Sequence, residues 1–221
     1  MKNYIKLLTL IGFALFIYAC SNEDKGTNNI EEANTAESNT ENSEAVVKYD
    51  FRRVNWGMSM QEVKESEEME PVLESENTLD YSTFLMSMQT QIGYTFENDE
   101  LIRAGFFFLT KPDTNNKYIE TYKKLQDELK KVNGEPILDT EQQIDPSQTI
   151  DPDKKAEAVC NGDLLYATQW DLPKTDIQLI LRGEDSECKL TIIYLSEEGF
   201  RQILEDRSNK SETYYYYAKL V

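Results

Sequence analysis

Residues 91–109 have the sequence QIGYTFENDELIRAGFFFL, and this stretch indicates the architecture of the folded part most clearly. Two runs rich in β-forming residues, 91–96 and 101–109, flank the polar tetrad Glu97-Asn98-Asp99-Glu100. Such a tetrad suits a tight turn, with Asn98 and Asp99 at its tip, between two antiparallel strands. The stretch therefore predicts a β-hairpin.

The turn also predicts the register of that hairpin. With Asn98 and Asp99 at the tip, we expect Phe96 to face Leu101 and Tyr94 to face Arg103 across the ladder. Neighbouring side chains of a strand point to opposite faces, so the three phenylalanines at 106–108 place aromatic rings on both faces of the sheet.

Helices and one further strand are predicted around the hairpin. Ser59-Met60-Gln61-Glu62 has the pattern of a capping box and predicts a helix that runs to about Met69. Residues 79–86 are rich in β-forming residues. Apolar residues at 118, 122, 125, 129 and 132 form one stripe of a helix over 117–132, which Gly134 and Pro136 end.

The C-terminal half is predicted to repeat this order. Strands are expected at 164–170, 177–182 and 188–195, with a short helix through Cys160 before them and a helix beginning at Ser196 after them. Residues 214–217 are also β-prone. The acidic residues 139–153 lack the ligand spacing and central glycine of the common calcium loop, so we interpret them as a solvated loop rather than a calcium site.

These elements predict the α+β class. We expect an antiparallel sheet, or two, from two helix–strand–strand–strand units with the helices on one face, in a domain over 48–221 with possible halves 48–112 and 113–200. Trp56-Gly57-Met58-Ser59 and Val132-Asn133-Gly134-Glu135-Pro136 carry a further resemblance. They resemble the helix-start and helix-end motifs of β-lactamase-inhibitor protein and of the small lipoprotein of the outer-membrane β-barrel assembly machine. The resemblance implies a non-catalytic domain whose sheet is open on one face.

The N-terminal region has the pattern of a secretion signal. Lys2 and Lys6 precede a hydrophobic run over 7–19, which is shorter than the roughly 20 residues of a membrane span. Ile17-Tyr18-Ala19-Cys20 resembles the lipobox of bacterial lipoproteins. The resemblance implies cleavage of a signal peptide, residues 1–19, and diacylation of Cys20. The alternative is an ordinary signal peptide with an incidental cysteine.

Residues 20–47 are rich in Asn, Glu, Ser and Thr and nearly lack large apolar side chains. Such a composition cannot bury enough surface to offset the entropy of ordering, so we expect a disordered acidic tether. An acidic recognition tail is the alternative. A tether after a lipidated cysteine predicts a protein of the bacterial cell envelope. Ser21 is not the aspartate that retains lipoproteins at the inner membrane of some diderm bacteria, which favours the outer membrane in a diderm source.

The chain is acidic and contains no histidine. Its formal charge is −18, and loss of Lys2 and Lys6 with the signal would make it more negative by two. This charge argues against nucleic acid or anionic lipid as partners. The absence of histidine removes the commonest general base and metal ligand. We expect no cofactor and no metal.

Cys160 and Cys188 remain as a pair once Cys20 carries lipid. In a compartment outside the cytosol an even pair favours a disulfide. Two separate buried thiols are the alternative.

Three functions are compatible with these features. The first is a lipid-anchored, non-catalytic interaction or scaffold module that binds an unidentified envelope protein. The second is a carrier of an apolar ligand or lipid, and the third is a hydrolase that depends on paired carboxylates. Because a one-layer sheet cannot bury both faces under few helices, some aromatic residues on the strands should be exposed. The candidates for binding are Tyr94, Phe96, Phe106, Phe107 and Trp170.

Overall fold

The structure is a computed structural model that describes residues 48–209, with side-chain environments through residue 205. The predicted signal peptide, the lipidation of Cys20, the tether over 20–47 and the strand at 214–217 lie outside the described residues. Within the described part, no helix is both long and apolar enough to cross a membrane.

Within residues 48–209, eight strands form one antiparallel sheet accompanied by four α-helices, which confirms the predicted α+β class. The strands lie in the order β1-β2-β3-β4-β8-β7-β6-β5. The elements are α1 (Met60–Ser66), β1 (Leu73–Glu74), β2 (Thr78–Leu85), β3 (Met88–Glu97), β4 (Glu100–Phe108), α2 (Asn116–Asn133), β5 (Leu138–Gln143), α3 (Lys155–Asn161), β6 (Leu164–Leu172), β7 (Thr175–Glu184), β8 (Glu187–Leu195) and α4 (Glu197–Asn209). One turn of 3-10 helix, Pro152–Lys154, precedes α3.

The predicted hairpin is present as β3 and β4. Asn98 and Asp99 form its turn with φ of 50° and 63°, and Phe96 faces Leu101 as expected. The prediction that Tyr94 faces Arg103 is wrong, because a bulge shifts the register between Thr95 and Phe96. One extra residue in β4 moves every later pair by one position. Tyr94 therefore faces Ala104.

The acidic segment was interpreted as a loop over its whole length, and the presence of strand β5 shows that this is wrong for the first part of the segment. Leu138–Gln143 pairs antiparallel with β6 at one edge of the sheet. Its acids Asp139 and Glu141 form ion pairs with Lys130 and Lys155. Only one long side of an edge strand is paired, so charged residues are tolerated there and hide the β pattern. Among residues 48–209 no cluster of three His, Cys, Asp or Glu residues could hold a metal ion.

Two apolar clusters cover one face of the sheet. Val63 of α1 packs with Tyr81 and Ile92 in the N-terminal half. In the C-terminal half, α2 and α3 contribute to a cluster that includes Trp170 and Leu179. Helix α4 differs from the prediction that the helices share one face. It contacts β4, β7 and β8, and its Ile203 lines a groove on the other face of the sheet.

Cys160 at the end of α3 and Cys188 at the start of β8 are joined by a disulfide, with Cα atoms 4.2 Å apart. Gly183 of β7 faces Cys188 across the ladder. A Cβ atom at Gly183 would lie 2.3 Å from the carbonyl oxygen of Val159. The end of α3 therefore packs directly onto the backbone of β7 and needs a glycine there.

A partly buried ion pair fixes the segment before α1. The guanidinium of Arg52 donates from Nε and Nη2 to the two carboxylate oxygens of Glu67, each at 3.0 Å. The Glu67 side chain is 1% exposed and also accepts a hydrogen bond from the Tyr94 hydroxyl. The Glu67 carboxylate, at the end of α1, thereby joins this helix to Arg52 and to strand β3.

Candidate interaction surface

The face of the sheet opposite α1, α2 and α3 is called here the open face. Strand registers place its side chains in rows that run across the strands. One row passes through residues 82, 91, 107, 191, 180, 167 and 140, and the next through residues 80, 93, 105, 193, 178, 169 and 138. Each row spans seven strands, or roughly 29 Å at strand spacings of about 4.8 Å.

A groove of about 790 Å³ lies on the open face. Its apolar lining comes from strands β4 to β8 and from α4, and comprises Phe107, Leu138, Ala167, Ile180, Ile193 and Ile203. Amides and hydroxyls lie among these side chains, namely Gln91, Thr95, Gln169, Gln178 and Thr191. The groove therefore combines an apolar strip with groups that both donate and accept hydrogen bonds.

Two glycines shape the groove on the β3–β4 side. Gly93 and Gly105 face each other across the ladder and leave a gap in the row of side chains. The ring of Phe107 fills part of this gap, since a Cβ atom at Gly93 would lie 3.0 Å from Phe107 Cε2. Phe107 is thus held against the backbone of β3 with its ring in the groove. A larger side chain at position 93 would displace it.

The charges of the groove nearly balance, although the chain carries −18. Arg103 donates to Thr95 Oγ1 from Nε at 3.2 Å and from Nη2 at 3.1 Å. Arg182 forms an ion pair with Glu184 at 3.3 Å. The charged lining residues are four cations, Arg103, Lys111, Arg182 and Lys189, and three anions, Asp80, Glu184 and Glu187. The groove is therefore much less acidic than the molecule as a whole.

Two of the five aromatic residues predicted for binding, Tyr94 and Phe107, border the groove, and of these Phe107 is the one on the open face. Tyr94 and Trp170 are each 1% exposed and Phe96 is 3% exposed, while Phe106 packs against both apolar clusters. The expectation was that the five include exposed residues, and these four are instead buried or, for Phe106, partly buried. They share the strand face that the helices cover.

Hydrogen bonds agree with this burial. The Trp170 indole N–H donates to the carbonyl oxygen of Gly134 at 2.8 Å, which ties β6 to the end of α2. Burial and the hydrogen bond to Glu67 raise the pKa of the Tyr94 hydroxyl. Burial likewise raises the pKa of Tyr194 to about 12. Both tyrosines are core residues rather than binding residues.

The groove residues of β7 and β8 were not among the predicted site residues. Ile180, Thr191 and Ile193 alternate with buried residues along their strands, whereas Gln178 is itself buried. That alternation is the sequence signal that could have identified them. It was not decisive because Ile180 and Ile193 are apolar, like the core residues beside them.

Two carboxylates lie close in register outside the groove. Asp171 faces Asp176 across the β6–β7 ladder. Burial and the charge of Asp171 raise the pKa of Asp176, and a hydrogen bond from Gln169 opposes this effect. Asp171 is exposed, and neither aspartate lines the groove. The pair therefore lies at the ends of β6 and β7, beside the turn that joins them, and outside the groove.

Comparison of the chain with protein-family models, with curated proteins and with solved structures finds no match.

Proposed function

We propose that this protein is a lipid-anchored lipoprotein of the bacterial envelope whose folded domain is a non-catalytic interaction module. The lipobox-like segment ending at Cys20 supports the anchor. Residues 20–47 would act as the tether that holds the domain away from the membrane. In a diderm source, Ser21 favours the outer membrane.

The open face is the proposed binding surface, and its occupant is an extended segment of another envelope protein. The single observation behind this proposal is the groove, whose apolar strip crosses the strands between amide side chains. A peptide backbone presents one donor and one acceptor per residue, and the half-buried amide of Gln91 can bind either, whereas Gln169 and Gln178 are only 4% and 8% exposed. An aliphatic chain would leave the Gln91 amide without a partner on binding, at a cost in free energy.

The finer architecture that we propose is a pair of related units. Strands β1 to β4 follow α1, and strands β5 to β8 follow α2, with α3 inserted after β5. The strand order places β4 beside β8, so the last strand of each set lies at the centre. The groove extends across this junction, because Phe107 and Thr191 are paired there. In this proposal each unit contributes half of the binding surface.

A carrier of an apolar ligand is the second candidate function. The volume of about 790 Å³ favours it, because pockets for small molecules occupy about 300–1,000 Å³. The many polar groups that line the groove favour a peptide instead. The carboxylate-dependent hydrolase has less support, since Asp171 and Asp176 lie outside the groove and its facing pair Glu184 and Glu187 is engaged in ion pairs with Arg182, Lys111 and Lys189.

Substitution of Ile180 tests the proposed surface. Ile180→Glu places a charge in the middle of the apolar strip, and we expect at least a tenfold loss of partner binding, since burying an unpaired charge costs more than about 1.4 kcal/mol. Binding is measured by quantitative co-purification of the intact chain from its own membranes. Val132→Glu is the matched control, because Val132 is an 80% exposed residue of α2, away from the open face.

Three outcomes decide between the functions. Loss of the same protein with Ile180→Glu and with Thr191→Lys, but not with Val132→Glu, supports the interaction module. Thermal unfolding of each variant distinguishes a loss of partner binding from a loss of the fold. Equal recovery of the partner protein with all variants contradicts the proposed surface. Loss of a bound lipid rather than a protein supports the carrier instead.

A further inference from the structure

Strand β2 has an unpaired edge. The short strand β1 lies beside Leu79 and Asp80 and leaves residues 81–85 uncovered. The Val72 N–H donates to the Asp80 carbonyl at 2.7 Å, so the backbone groups of Asp80 point away from β3. Because this direction alternates along a strand, the backbone groups of Ser82 and Phe84 point outward as well. They form a row of donors and acceptors at the end of the sheet.

The two edges of the sheet differ in how they are protected. The opposite edge, β5, carries Asp139 and Glu141 within six residues. Charged residues on an edge strand prevent pairing with other chains. In contrast, residues 81–96 contain no charged residue, although 29% of the chain is charged. The uncovered part of β2, residues 81–85, therefore lacks both charged residues and proline.

Exposed apolar side chains accompany the uncharged edge. Phe84 is 75% exposed and lies in the middle of the uncovered part of β2. Met86, in the following turn, is 43% exposed, and Leu73 of β1 is 56% exposed. An uncharged edge with an exposed aromatic residue is the surface to which another strand adds.

We propose that β2 pairs with β2 of a second copy of this chain, antiparallel and about a two-fold axis that passes beside Thr83. This inference is independent of the open-face function proposed above. A two-fold interface requires a self-complementary patch. Residues 82 and 84 supply it, because their outward groups lie symmetrically about residue 83.

The geometry specifies the contacts. Ser82 of each copy faces Phe84 of the other and exchanges two hydrogen bonds with it, which gives four in all. The two Thr83 residues form the central pair without hydrogen bonds, where Cα atoms lie about 4.5 Å apart. Pairing ends at residues 81 and 85, because β1 occupies the space beside Asp80.

The physical properties of the edge also indicate the strength of the pairing. Five residues per copy form a contact smaller than the roughly 1,000 Å² of a stable interface, so the dimer should be weak and concentration-dependent. Two chains of charge −18 repel each other at long range. Salt screens this repulsion, with a Debye length of about 10 Å at 0.1 M and about 3 Å at 1 M. We therefore expect association to increase with salt.

Cysteine cross-linking tests the two-fold axis directly. Thr83→Cys is introduced into the intact chain. Membranes that contain this variant are oxidised, and their proteins are separated without reductant. The Thr83 pair is close enough for a disulfide, which needs Cα atoms about 4.4–6.8 Å apart. We expect a cross-linked dimer. Thr140→Cys on β5 is the matched control, and the unsubstituted chain shows any dimer formed through Cys20.

The outcomes separate as follows. A dimer that forms at least five times more with Thr83→Cys than with Thr140→Cys, and that disappears when Phe84→Lys is added, supports the proposal. Equal cross-linking at both positions, or none at Thr83, overturns it. The unsubstituted intact chain provides a second measurement by sedimentation. An increase of dimer with salt that Phe84→Lys abolishes is the expected result, and a monomer under all conditions contradicts the pairing.

Discussion

Replacing Arg52 with methionine is expected to lower the free energy of unfolding by about 3 kcal/mol, since it leaves the buried carboxylate of Glu67 without its cation. The carboxylate of Glu67 is almost fully buried, and Arg52 donates two hydrogen bonds to it. Methionine keeps the aliphatic part of the side chain but supplies no donor. Urea unfolding followed by circular dichroism measures the loss.

The neighbouring pair provides a matched control. Arg53 and Glu68 also form an ion pair, but their side chains are 54% and 79% exposed. Exposed pairs contribute about 0–1 kcal/mol, so Arg53→Met should have little effect. Similar losses from the two substitutions would contradict the account, because they would show that burial of Glu67 does not determine the effect.

Replacing Gly183 with alanine is the second substitution with a large expected effect. The added Cβ would lie 2.3 Å from the Val159 oxygen, 2.4 Å from the Gly162 nitrogen and 2.5 Å from the Cys160 oxygen. All three are backbone atoms at the end of α3, where the disulfide restricts movement. We expect a loss of about 3 kcal/mol or more in the free energy of unfolding, at the upper end of overpacking effects.

Gly162 is the appropriate comparison because it lies in the same contact. Its φ is +84°, and the nearest atom to an added Cβ is 3.9 Å away. Alanine there is strained but has room, so a loss of about 1 to 2 kcal/mol is expected. If Gly183→Ala proves no more destabilising than Gly162→Ala, α3 does not pack against β7 as described.

The sequence predicted those strands whose turns have a recognisable composition. Asn98 and Asp99 identified the β3–β4 hairpin, and these residues tolerate positive φ. The β2–β3 turn is equally short but consists of Met86 and Ser87, with φ of 52° and 64°. Neither residue is typical of such a turn. The start of β3 was therefore predicted three residues too late.

Strand β5 and the bulge in β4 could not be predicted from local pattern. Asp139 and Glu141 make residues 138–143 look like a solvated loop, and their partners Lys130 and Lys155 lie in α2 and α3. The tertiary arrangement determines that these charges are paired. The bulge at Thr95 and Phe96 likewise depends on how β4 pairs on its two sides.

The candidate surface was predictable only in part. A sheet with one open face was expected, and Phe107 lies on it. The groove itself depends on the contact of β4 with β8, where Phe107 pairs with Thr191. Residues so far apart in the sequence carry no local sign of their pairing. Adjacent residues of a strand point to opposite faces, and the sequence alone did not show which face the helices cover, so Tyr94 and Trp170 were listed although both are buried.

The most direct test of the proposed function is photo-cross-linking from position 107. A photoreactive phenylalanine analogue replaces Phe107 in the intact chain within its own cells, and it replaces Val132 in a control. The account predicts an adduct to one protein from position 107, mapped to a single extended segment, lost with Ile180→Glu and absent from position 132. No protein adduct, adducts of equal yield from both positions, or an adduct to lipid alone would contradict it.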